Sequence, residues 1–123
     1  MSKIYRNTYG KERVAYPPEV ALPESQKRRA YYQRTLEPRI TSGFVHHGID
    51  VVVQLVGSVA CDQARPDSDI DCLVFPLATI TISSSEESLQ FLGVARIVAL
   101  DFLREAEFPF DLHCIVGGRT ICV

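Results

Sequence analysis

GSVACDQARPDSDIDCLVF, residues 57–75, is the stretch on which the reading of this chain turns. Before it runs Val51-Val52-Val53-Gln54-Leu55-Val56, a short, apolar, β-branched segment that reads as a buried strand. That strand ends on Gly57-Ser58, a tight turn with backbone N–H groups to offer. A polar loop carrying Pro66 follows, and then a second strand, Asp69-Ile70-Asp71-Cys72-Leu73-Val74-Phe75. Side chains at i and i+2 of a strand share a face. Asp69 and Asp71 therefore point one way, and Ile70 and Cys72 point into the core.

Two carboxylates on one face repel each other, and without a counter-charge one of them tends to take up a proton. A divalent cation removes that cost, and an all-oxygen donor set suits Mg²⁺. The neighbouring Gly-Ser turn supplies N–H and hydroxyl donors of the kind that hold a phosphate. The competing reading is an acidic strand end in solvent. The turn upstream and the strands on both sides favour the metal and phosphate reading, and with it phosphoryl or nucleotidyl transfer.

At 123 residues the chain is sized for one domain with a single core. Its hydrophobic fraction of 46% and charged fraction of 23% are those of a soluble globular protein. A net charge of −2 gives no general pull towards nucleic acid or anionic membrane. No apolar run approaches a membrane span, and the first residues lack the apolar core of a secretory signal. The four cysteines, Cys61, Cys72, Cys114 and Cys122, form no C-x-x-C pair, which argues against structural zinc. Cys72 and Cys114 read as small core residues, and a cytoplasmic location with reduced thiols is expected.

Residues 1–22 read as an extended polar arm. A helix is expected from Pro23 to about Thr35, and its Lys27-Arg28-Arg29 run is either a solvated face or, less simply, a phosphate or nucleic-acid contact. A second helix should start at Pro38 and end near His47 with Gly48 as its cap, with Leu36, Ile40 and Phe44 as its core stripe. His46-His47 sits where a charged imidazole favours the helix dipole; a metal role is the weaker alternative. Residues 78–82 alternate like a short edge strand. A capping box in Ser83–Glu87 should open a long helix reaching about Ala106, with Leu89, Leu92, Leu100 and Leu103 on its buried face. Phe110–Val116 reads as a third strand on which Asp111 and His113 share one face and Leu112 and Cys114 the other. Asp111 is an acid in an otherwise apolar strand, where unpaired burial would be costly. A short return strand is expected over residues 119–123.

Gly57-Ser58, Ala60 and the run Ala64-Arg65-Pro66-Asp67-Ser68-Asp69-Ile70-Asp71 resemble the signature of the DNA polymerase β-like nucleotidyltransferases, and among them the small minimal nucleotidyltransferases. The resemblance spans about residues 36–116. It implies a small mixed β-sheet with helices packed on one face, an α/β (α+β) fold. The strands near 51–56, 69–75 and 110–116 would be neighbours in residues 36–123, after an arm and helix over residues 1–35. It further implies that Gly57, Ser58 and Ser68 bind a nucleoside triphosphate. Asp69, Asp71 and Asp111 would be the catalytic carboxylates that bind two Mg²⁺ ions, with Mn²⁺ as an alternative. The partner it allows is a helical HEPN-type protein or a second copy of the chain, including toxin–antitoxin pairs in which the transferase AMPylates the toxin. The sequence departs from the family pattern at Val59, Cys61 and Asp62, where small members carry an Arg and then a Gly. Those departures support the alternative of a binding module that retains the fold and transfers nothing.

Overall fold

A computed structural model of the chain describes residues 4–6, 12–14, 16–77, 85–116 and 119–123. The carboxylates owe their position to a four-stranded sheet of order β3-β4-β5-β6. Its members are β3 (Val51–Val56), β4 (Ile70–Pro76), β5 (Phe110–Val116) and β6 (Arg119–Cys122). β3 runs antiparallel to β4, β4 parallel to β5, and β5 antiparallel to β6. A parallel pair needs a long crossover. The crossover from β4 to β5 contains the helix α4 (Ser85–Leu103). Towards the N-terminus, β1 (Ile4–Arg6) pairs antiparallel with β2 (Glu12–Val14) as a separate ribbon. The three strands expected to be neighbours are neighbours, and the fold is the small mixed sheet anticipated.

One face of the sheet carries the core. Ile70, Cys72 and Val74 of β4 and Leu112 and Cys114 of β5 are fully buried there, as period-two alternation requires. They pack with Leu36, Ile40 and Phe44 from the second helix and with Phe91, Ala95, Val98 and Phe102 from α4. Phe44 stacks on Phe91 at 5.3 Å between ring centroids, and Phe102 meets Phe110 at 5.8 Å. The anticipated stripe of Leu36, Ile40 and Phe44 is therefore the one observed.

Two expectations need correction. The first helix, α1 (Pro18–Tyr31), begins five residues earlier than the sequence suggested, so residues 18–22 are helical and not part of an extended arm. Pro18 fits a first helical turn, where its missing N–H has no partner to lose. Pro23 lies inside the helix instead of opening it. The two expected helices are also continuous. A π-helical turn over Tyr32–Leu36 joins α1 to α2 (Glu37–His46). Pro38 has no N–H for the carbonyl four residues back and its ring crowds that group, so a widened turn just upstream is the natural accommodation. The boundary drawn between residues 35 and 36 falls inside this turn. α2 ends where Gly48 takes a left-handed φ of 77° and donates to Val45 O at 2.8 Å.

The second correction concerns the face of α4. Leu89, Leu100 and Leu103 are exposed, Leu89 by 71%, and the buried stripe is Phe91, Ala95, Val98 and Phe102. The helix also stops at Leu103, short of Ala106. The edge strand expected at 78–82 and the capping box that begins at Ser83 lie outside the described residues.

Candidate active site

β3 leads directly into α3 (Gly57–Ala60), a single helical turn. Gly57 makes this corner with a φ of 76°, a left-handed conformation that residues with a Cβ avoid. A Cβ at this position would also collide with the Asp71 carboxylate. The corner is thus pressed against the acid, and the Gly in the sequence answers both demands. Ser58 follows, half-buried in the turn, while Val59 is fully buried in the core.

Asp71 sits on the sheet face opposite the core, and its register partner across the parallel β4–β5 pair is Asp111. His113 lies two residues further along β5 on the same face. One ligand atom from each of Asp71, Asp111 and His113 can be chosen so that all lie within 4.8 Å of one another. The His113 Nε2 is 3.3 Å from Asp71 Oδ1. Asp69, just before β4, lies near enough to Asp111 for the two carboxyls to influence each other. The structure therefore brings Asp71 and Asp111, two of the three carboxylates picked out in the sequence, together with His113, and sets Asp69 beside them. The signal for His113 was present, since it shares a strand face with Asp111, but one imidazole beside one acid has no spacing that marks it.

The carboxyls feel this crowding. Burial raises Asp71 above its ordinary value of 3.8, the charge of Asp69 adds to the rise, and the hydrogen bond and charge of His113 oppose it. Asp69 is raised first by burial, then by its hydrogen bond to Asp111 and the charges of Asp111 and Asp67, against a smaller pull from Arg28. Cys122, the partner of His113 across β5–β6, is raised by burial and by the charges of Asp111 and Asp71.

The loop between the turn and β4 is clamped from α1. Arg28 is 2% exposed. Its Nε donates to Ser68 O at 3.0 Å and its Nη2 to Pro66 O at 2.8 Å. Nη1 donates to Glu24 Oε2 at 2.6 Å and to Glu24 O at 3.1 Å. The guanidinium also lies 4.8 Å from the centroid of Phe108. Buried Ser25 accepts from Ala64 N at 2.9 Å. The basic run is thus not a single solvated face. Lys27 pairs with Glu24 on the surface, Arg28 fixes the loop, and Arg29 pairs with Asp62, the extra acid of the turn region. The Ser68 hydroxyl accepts from Arg65 N at 2.7 Å, which leaves it its own proton to donate.

Two clefts flank these elements. One of about 360 Å³ lies at the other end of β3 and β4, between Asp50, Pro76, Leu77 and Phe91, and none of Asp69, Asp71 and Asp111 lines it. A smaller one of about 260 Å³ opens between Leu100 and Leu103 of α4 and Phe110–Leu112, and reaches Asp111.

The strand, the glycine corner and the D-x-D strand are thus set beside a third acid on a parallel neighbour. Residues 39–77 match the family model for the nucleotidyltransferase domain, from α2 through the corner and β4. The mixed sheet is consistent with that fold, and the match supports the general transferase class. No curated protein and no solved structure matches the chain. No described helix is long and apolar enough to cross a membrane.

Proposed function

We propose that the protein is a divalent-metal-dependent nucleotidyltransferase that moves a nucleoside monophosphate from a nucleoside triphosphate, ATP by preference, to a hydroxyl on a protein or RNA. The observation that supports this most is the parallel register that sets Asp71 opposite Asp111, with the Gly57 corner pressed against Asp71.

The donor set fits a metal: Asp69, Asp71 and Asp111 supply hard oxygens, and at Asp69 and Asp71 burial already disfavours the bare anion. Asp69 and Asp71 would hold the ion at the triphosphate, and all three acids a second. When bound, Mg²⁺ or Mn²⁺ neutralises phosphate charge and acidifies the acceptor hydroxyl. Ser58 and the backbone at Gly57 would donate to the β- and γ-phosphates, and Ser68 through its remaining proton. The acceptor hydroxyl gives its proton to solvent, its oxygen attacks the α-phosphorus, the bond to the bridging oxygen breaks, and pyrophosphate leaves with the electron pair. The protein's work is to hold these groups in line. In keeping with the resemblance, the acceptor would be presented by a helical HEPN-type partner, whose AMPylation would make this chain an antitoxin, or by a second copy of the chain. The setting proposed is cytoplasmic.

A second reading is favoured by one observation: Val59, where the family pattern has an arginine, is buried in the core and offers no cation to a triphosphate. On that reading the domain binds nucleotide or partner without transfer. Incubation with α-labelled ATP, Mg²⁺ and host protein and RNA separates the two. Label should move to an acceptor with the wild type and not with Asp71→Asn. Saturable binding of ATP and Mg²⁺ with no transfer to any acceptor leaves the binding module.

A further inference from the structure

We infer that His113 is a nitrogen ligand of this metal site and biases it towards Mn²⁺ over Mg²⁺. The inference rests on the nucleotidyltransferase reading for the existence of the site, and goes beyond it in the identity of the ion.

The argument is one of donor chemistry. A site formed by carboxylates alone offers only hard oxygens, which is what Mg²⁺ takes, and Mg²⁺ gives up its waters reluctantly. Imidazole is a donor for first-row transition ions rather than for Mg²⁺, and Mn²⁺, the weakest binder of that row, is the one that also takes a mostly oxygen donor set. Here the imidazole is part of the cluster. His113 stands one strand step beyond Asp111, its side chain is 18% exposed, and its Nε2 is 3.3 Å from the Asp71 oxygen. The fold fixes it there, because β5 is hydrogen-bonded on both edges, to β4 and to β6. An ion within reach of both Asp71 and Asp111 is then within reach of His113, since their donor atoms lie within 4.8 Å of one another. The competing role is that of a positioning residue, in which the ring only donates to Asp71 and orients it.

The two roles differ in what a bound ion senses. Mn²⁺ added alone to the full chain should show ¹⁴N coupling in its pulsed electron paramagnetic resonance spectrum. His113→Gln, which keeps a hydrogen-bond donor, should abolish that coupling. It should also lower the preference for Mn²⁺ over Mg²⁺, measured by calorimetric competition, by at least about tenfold. Bound Mn²⁺ without ¹⁴N coupling, or equal losses of Mn²⁺ and Mg²⁺ affinity in the variant, overturns the assignment and makes His113 a positioning residue. A wild-type spectrum without ¹⁴N coupling rejects the assignment by itself, and His113→Asn replaces the Gln variant if that one fails to fold. Mn²⁺ that binds, depends on Asp71 and lacks ¹⁴N coupling removes only this inference. Failure of the wild type to bind either ion, with or without ATP, removes the transferase reading as well.

Discussion

Gly57 answers two constraints at once, a left-handed φ and a contact with Asp71 that no Cβ allows. Gly57→Ala should therefore lower stability by about 1–2 kcal/mol from the backbone alone, and more from the displaced carboxylate. Urea unfolding measures the loss, and a midpoint shift near zero would mean that the corner relaxes freely. Arg28 was not legible, because its partners Pro66 and Ser68 lie 38 and 40 residues away in sequence. Only tertiary structure shows that one member of a basic run is buried. Arg28→Met should leave two loop carbonyls without their donor and cost on the order of 2 kcal/mol. Arg28→Lys should recover little of it, since a single ammonium cannot reproduce the fork. Urea midpoints of both variants test this, and a Lys variant as stable as wild type would rule out the clamp.

At the scale of the element, the strands were read almost to the residue and α4 was not. β3 and β5 have the anticipated bounds, and β4 is displaced by one position. Strand faces follow from alternation alone, so Ile70 and Cys72 inward and Asp71 outward needed no tertiary information. α4 is apolar nearly all round, and then periodicity cannot choose a face. Leu89, Leu92, Leu100 and Leu103, at spacings of three, eight and three, fall in one stripe roughly 80° wide, so the pattern offered them as a face. Phe91, Ala95, Val98 and Phe102, at spacings of four, three and four, form a second stripe, and that one carries the core. The two readings differ in a measurement. Phe91→Ala should cost about 3–5 kcal/mol through lost transfer energy and a cavity against Phe44. Leu89→Ala should stay within about 0.5 kcal/mol, as for other exposed positions. Comparable losses at both positions in chemical denaturation would put the helix in the other orientation.

Across the whole molecule, the site and the fold make opposing demands, and pH exposes the conflict. Asp69 and Asp71 are raised above 3.8, chiefly by burial, so the folded chain takes up protons there more readily than the unfolded one. Each therefore costs stability once ionised, a cost absent below 3.8 and fully present above its raised folded value. Glu24 has the opposite sign: the hydrogen bond from Arg28 lowers it below 4.5, so its stabilisation is present above 4.5 and is lost as pH falls through the lower folded value. In metal-free buffer the melting temperature should thus hold from neutrality down to the raised carboxyl values, rise as pH falls through them towards 3.8, and fall again once Glu24 is protonated. A divalent ion should reverse the first trend, because it binds only the ionised acids and stabilises by mass action. Mg²⁺ or Mn²⁺ should raise the melting temperature most at neutral pH and least in acid. Asp71→Asn removes one buried charge while keeping the shape of the side chain. In the absence of metal it should be as stable as wild type at neutral pH, or slightly more so, with a shallower pH slope and no metal response. A structural aspartate would behave otherwise, since its loss would destabilise the fold whatever ion is present. If Asp71→Asn unfolds the domain, or if metal leaves the wild-type melting curve where it was, the acids of β4 and β5 hold the fold together and are not a metal site.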